Sequence, residues 1–119
     1  MEVSMQTRFK RLIPKVIFVF TLGFAVTSGA EDHKAEAMKQ AQAALDSGKQ
    51  GNAAAVAEHA AAAKIHAEAA QQERPNPHLD AAIKNLDAAI AEGRKGNASS
   101  AEEAAFGAVT HLKAAEKSF

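Results

Sequence analysis

The 119-residue chain has no cysteine, tryptophan or tyrosine, and only three prolines and three methionines. Without cysteine it forms no disulfide, offers no thiolate to a metal and has no sulfur nucleophile. Beyond residue 30 the one thioether is Met38, so a methionine-rich copper(I) site is excluded as well. Any metal must be held by imidazole, carboxylate or backbone nitrogen. The same stretch has only Phe106 and Phe119 as aromatics, too few for a platform on which nucleic-acid bases could stack. Long apolar runs are scarce too. The one run, Val16 to Val26, is about eleven residues, well short of the roughly 20 that a membrane-spanning helix requires.

That run follows a basic start, Arg8, Lys10, Arg11 and Lys15, and leads to Ser28-Gly29-Ala30, with small residues where a signal peptidase reads. This order is that of a secretory signal. The expectation is a signal peptide over residues 1–30, cleavage after Ala30, and a single domain over 31–119 in the periplasm, free of the membrane. The domain carries ten basic and thirteen acidic side chains. A net charge of about −3 argues against a nucleic-acid partner held through backbone phosphates.

What is abundant is alanine, about a third of residues 31–119, and alanine is the best helix former. The domain also repeats itself at a shift of about 45 residues. His33 falls on His78, Ala37 on Ala82, Lys39 on Lys84, and Leu45 on Ile90. Gly48-Lys49-Gln50-Gly51-Asn52-Ala53 falls on Gly93-Arg94-Lys95-Gly96-Asn97-Ala98, and His66 on His111. Repeat 1 covers about 33–74 and repeat 2 about 78–119. Leu79, Ile83, Leu86 and Ile90 recur at the spacing of one helical face. Gly48 and Gly93 are expected to end helices in the left-handed conformation, and Asn52 and Asn97 to cap the helices that follow. In Pro75-Asn76-Pro77, Asn76 suits a cap and Pro77 a first helical position. Helices are therefore predicted near 32–47, 52–73, 77–92 and 97–117. Short loops make successive helices antiparallel neighbours, so the predicted fold is all-α, an up-down-up-down four-helix bundle of two repeated hairpins.

All five histidines, His33, His59, His66, His78 and His111, lie in the domain. Two arrangements single them out. Cleavage after Ala30 would leave Glu31-Asp32-His33 at the new amino terminus. The α-amine of Glu31, the amides of Asp32 and His33, and the His33 imidazole could then enclose one ion in a plane. Four nitrogens in a square suit copper(II) or nickel(II) rather than zinc(II). The second arrangement follows from the repeat. His33 and His66 are equally far from the centre of the first hairpin loop, and His78 and His111 from that of the second. In antiparallel helices such residues stand at one level, so all four should reach the same end of the bundle. At 100° per residue His111 points about 120° from the stripe Ala101, Ala105, Val109 and Leu112, and His66 does likewise. The histidines should therefore flank the core, making exposed sites completed by solvent rather than one buried site. Glu36, three residues on, shares the face of His33. His59 has Ala104 as its counterpart in the second repeat.

Nothing in the chain has the spacing of a catalytic triad, a di-iron Glu-x-x-His pair, a phosphate loop or a dinucleotide fingerprint. No enzyme activity is expected. On four stretches the sequence resembles the small metal-binding proteins of the bacterial periplasm. These are Gly48-Lys49-Gln50-Gly51 with Gly93-Arg94-Lys95-Gly96, Glu58-His59-Ala60 through Ala67, Pro77-His78-Leu79, and His111-Leu112-Lys113-Ala114-Ala115. The resemblance implies an exported four-helix bundle that binds several divalent metals through histidine, copper(II) foremost. It departs from that pattern in having few histidines, so the ligand role carries over only to the five named. The expectation is a periplasmic monomer that binds or buffers divalent metal, copper(II) first, with nickel(II) and zinc(II) as the other candidates. The competing expectation is a metal-free bundle acting by contact, as a chaperone-like or envelope protein.

Overall fold

Alanine-rich segments bounded by paired Gly and Asn form four helices in the computed structural model, which describes residues 30–118. They are α1 (Ala30–Lys49), α2 (Ala53–Glu73), α3 (Pro77–Arg94) and α4 (Ala98–Lys117). The basic start and apolar run expected to form a signal lie outside the described residues. No helix among the described residues is long and apolar enough to cross a membrane. Each helix packs on its sequence neighbours, and α1 also packs on α4, which closes the up-down-up-down bundle.

The loops work as a Schellman pair, displaced by three residues from the sequence expectation. Gly48 and Gly93 lie inside α1 and α3, while the left-handed residues are Gly51 (φ 78°) and Gly96 (φ 86°). Gly51 N donates to Gly48 O and Asn52 N to Ser47 O, and Gly96 and Asn97 repeat both bonds to Gly93 and Glu92. The helices run on because these 6→1 and 5→2 bonds satisfy their last carbonyls only when the left-handed residue follows the final turn.

Gly48 and Gly93 are glycine for another reason. A Cβ on Gly93 would lie 2.7 Å from the Ala53 carbonyl oxygen and 2.9 Å from the Ala57 Cβ. One on Gly48 would lie 2.7 Å from the Glu102 Cβ. Ala57 and Glu102 are themselves counterparts at the 45-residue shift, so the same close approach occurs twice, α1 on α4 and α3 on α2. The hairpins are pressed together at their loop end.

The caps are only partly alike. Asn52 Oδ1 accepts from Ala55 N at 3.0 Å, as expected, and Asn76 Oδ1 accepts from His78 N at 2.7 Å with Pro77 opening α3. Asn97 makes no side-chain cap. Its Nδ2 donates instead to Glu92 Oε1 at 2.8 Å, and the counterpart of Glu92 is Ser47, which is too short to compete in the first loop.

Thirteen of the nineteen residues in the buried core cluster are alanine. Leu79, Leu86, Leu112 and Val56 are the largest fully buried side chains. Alanine seams let helix axes approach closely but remove little apolar area from water, at about 25 cal/mol per Å². Polar ties supplement them. Lys64 Nζ on α2 meets Asp87 Oδ1 on α3 at 2.7 Å, and this bond raises the lysine pKa. At the end opposite the loops, the buried Lys34 donates to Ala115 O at 3.1 Å, and the buried Asn76 donates to Ser118 Oγ at 3.3 Å. Lys34 stands where the second repeat has the core residue Leu79.

Candidate metal centre

The antiparallel pairing of α1 and α2 brings His33 and His66 together on their outer seam. Their Nδ1 atoms are 3.2 Å apart and their ring centroids 5.4 Å, with the planes tilted by 32°. In the metal-free chain this is a hydrogen bond, one Nδ1–H donating to the other Nδ1. The spacing also suits a shared ion. Two nitrogens about 2.05 Å from one metal stand about 2.9 Å apart at a right angle and about 3.3 Å apart at the tetrahedral angle. Both rings are half-buried. Burial lowers the pKa of His66 from its ordinary value, and the neighbouring His33 lowers it further, against an opposing pull from Glu36. A depressed pKa leaves this imidazole neutral, the form that binds metal, over a wider pH range.

The second hairpin repeats the pair without repeating its detail. His78 and His111 stack with centroids 5.9 Å apart and planes at 29°. Glu36 has Ala81 as its counterpart, so this pair lacks the carboxylate that the first has nearby. The two pairs stand at the same end of the bundle, on different hairpins. They do not merge: among the described residues no three histidine, aspartate or glutamate side chains gather where one ion could be held.

His59 stands apart from both pairs. Its Nδ1 lies 3.0 Å from Gln40 Oε1, across the same α1–α2 seam. Sequence reasoning did not single out Gln40, although the signal was present: Gln40 and His59 are equidistant from the loop centre, as His33 and His66 are. Asp32 and His33 lie in the first turn of α1, together with the backbone of Glu31. Helix-start amides have no intrahelical acceptor, but a planar chelate of amine, two amides and imidazole would require this turn to open.

An antiparallel bundle of two like hairpins, each with a histidine pair at the end away from its loop, is thus the class of protein that the fold and site define. The model of the small metal-binding protein family matches residues 9–115. The chain belongs to the small metal-binding protein family, and metal binding is the function which that membership implies. A search of curated proteins gave no match.

Proposed function

We propose that this protein binds and buffers divalent metal in the periplasm, copper(II) foremost, and that it catalyses no reaction. The single observation that carries the reading is the His33–His66 pair, with two imidazole nitrogens at a separation that one ion can span. Each pair supplies two ligands and solvent completes the shell, so the ions are held weakly enough to exchange. This suits a buffer better than a permanent structural site. Imidazole on a partly exposed seam favours copper(II), nickel(II) and zinc(II) over the hard cations, and copper(II) ranks first by intrinsic affinity. His78–His111 serves as the second pair. Removal of the signal after Ala30 would add a distinct square-planar site built from the Glu31 amine, the Asp32 and His33 amides and the His33 ring. This site would compete with the pair for His33.

Copper(II) titration of the protein beginning at Glu31, followed by visible absorption, tests the reading. One copper(II) equivalent lost on His33→Ala and equally on His66→Ala, with the His78–His111 equivalent kept, identifies the pair. An equivalent lost on His33→Ala but kept on His66→Ala identifies the amino-terminal chelate. No stoichiometric binding at neutral pH at any accessible copper(II) concentration would sink the proposal.

A further inference from the structure

The 45-residue shift maps the seam between α2 and α3 onto the seam between α4 and α1, and these two seams lie on opposite flanks of the closed bundle. They have diverged, and two of the differences complement each other. Ala61 and Glu68 on α2 stand where α4 has Phe106 and Lys113, so a small residue answers a large one and an acid answers a base. The α2–α3 flank has an open hollow of about 460 Å³, with Ala61, Ile65, Ile90 and Ala91 as its apolar lining. Glu68, Arg94 and the Lys64–Asp87 pair line it as well. On the α4–α1 flank Phe106 is 60% exposed, one turn beyond Glu102, which lies against Gly48 of α1. One flank thus carries a hollow and the other a projecting ring.

We propose that these flanks dock copies of this chain onto one another, the Phe106 ring of one copy entering the hollow of the next. The charges around ring and hollow match in sign and in spacing. Glu102 and Glu103 precede Phe106 by four and three residues, on the loop side, and Lys113 follows it by seven. In the hollow, the Lys64–Asp87 contact sets Ala61 level with Ile90. Arg94 lies four residues from Ile90 on the loop side, and Glu68 lies seven from Ala61 on the other. At 1.5 Å per residue, both sets of offsets are about 6 Å toward the loops and about 10.5 Å away from them. Two bundles side by side, with their loops at the same end, therefore set Arg94 beside Glu102 and Glu103, and Glu68 beside Lys113. Among the described residues Arg94 and Lys113 have no ion-pair partner in their own chain, and Glu68 meets only Lys64, at 3.8 Å. Because ring and hollow lie on opposite flanks, the contact is heterologous and copies add in a row. One ring and a few exposed ion pairs make a contact well below the size of a stable interface. The chain would be monomeric when dilute and would string together when concentrated. This association needs no metal and rests on neither histidine pair.

The test is sedimentation velocity of the protein beginning at Glu31, which holds all four helices and the whole buried core. It is run in EDTA, so that no ion links histidines of different copies, from about 20 µM to about 2 mM. The parent should associate across that range. Phe106→Ala removes the ring, and Ala61→Phe fills the hollow with the residue that the second repeat carries there. Each should weaken association roughly tenfold or more, leaving the chain monomeric. Mixed in equal amounts, the two variants should form a pair and go no further, because one keeps only the hollow and the other only the ring. Lys113→Glu should weaken the parent's association by about two- to fivefold, and Glu68→Lys added to the same chain should restore it. Circular dichroism checks that the variants stay helical. Should Ala61→Phe not fold, Ile65→Glu blocks the hollow from a position that is 65% exposed. A parent that stays monomeric throughout, association unchanged in Phe106→Ala, or an equimolar mixture that stays monomeric would each overturn the proposal. Lys113→Glu equal to the parent would overturn the side-by-side register. Copper(II) binding decides the metal reading separately, so failure here leaves that reading standing.

Discussion

At the scale of single residues, charge and burial meet at His66. Its folded pKa lies below the ordinary value of 6.5, through burial first and His33 second. The unfolded chain therefore binds the proton more tightly than the folded one. The stability linked to this residue is complete above about pH 6.5 and is lost as pH falls toward the lower folded pKa. Urea midpoints measured between about pH 8 and about pH 5 should fall on acidification, and His66→Gln should flatten that dependence. The same protonation competes with metal, so apparent copper(II) affinity should drop over the same range. The charge of Glu36 is felt at His66 and opposes the depression. Its Oε2 also lies 3.8 Å from Lys39 Nζ on the solvent side. Glu36→Gln should therefore weaken metal binding modestly, on the order of two- to fivefold, and more at low ionic strength. Parallel titrations of the variant and the parent at two salt concentrations would check this, and equal affinities would show that the carboxylate plays no part.

Between helices, the two kinds of glycine make opposite predictions. Gly93 lies inside α3, where Gly→Ala ordinarily gains about 1 kcal/mol of helix propensity. Here the new methyl group would meet the Ala53 carbonyl at 2.7 Å, and such overpacking costs about 1–3 kcal/mol. Gly93→Ala should lower the urea midpoint despite improving the helix. Gly51→Ala meets nothing within 4 Å but must hold φ at 78°, so it should destabilise through backbone conformation alone, by about 1 kcal/mol. If Gly93→Ala were instead stabilising, the close approach of α2 and α3 would be disproved.

These elements also show what the sequence could reveal and why the rest was hidden. The repeat and the alanine run marked four helices within a few residues, since helix propensity and loop punctuation are local properties. The level and flanking direction of the histidines followed from counting residues about the loops. The role of Gly48 and Gly93 did not follow, because a helix-terminal glycine and a close-packed glycine look alike until the facing helix is placed. Asn97 misled for a similar reason: its acceptor, Glu92, lies across the loop and wins it from the cap. Lys34 could have been read as buried, because the repeat aligns it with the core residue Leu79. Gln40 has no charge or ring to set it apart in the sequence, although the spacing rule that pairs His33 with His66 also pairs it with His59.

For the whole molecule, a core that is mostly alanine leaves stability sensitive to anything that binds the folded state. Free metal at 100 times its dissociation constant would add about 2.7 kcal/mol by mass action. Thermal unfolding should therefore shift upward with copper(II) or zinc(II), by several degrees for a domain of this size. EDTA should reverse the shift, and a His33→Ala, His66→Ala double variant should show much less of it. A midpoint indifferent to metal in the parent protein would mean that any bound ion touches the folded and unfolded chains equally.

The 45-residue duplication also makes the molecule its own control. The two hairpins share a compartment, a chain concentration and a folding reaction, yet one histidine pair has Glu36 beside it while the other has Ala81 in that place. Ligand choice in one hairpin can therefore be compared with the other inside a single tube, because every condition applied to the first pair is applied to the second at the same moment. Exchanging the two residues, Glu36→Ala with Ala81→Glu, should exchange the order in which the pairs fill. That reversal would separate the effect of one carboxylate from everything else the fold contributes.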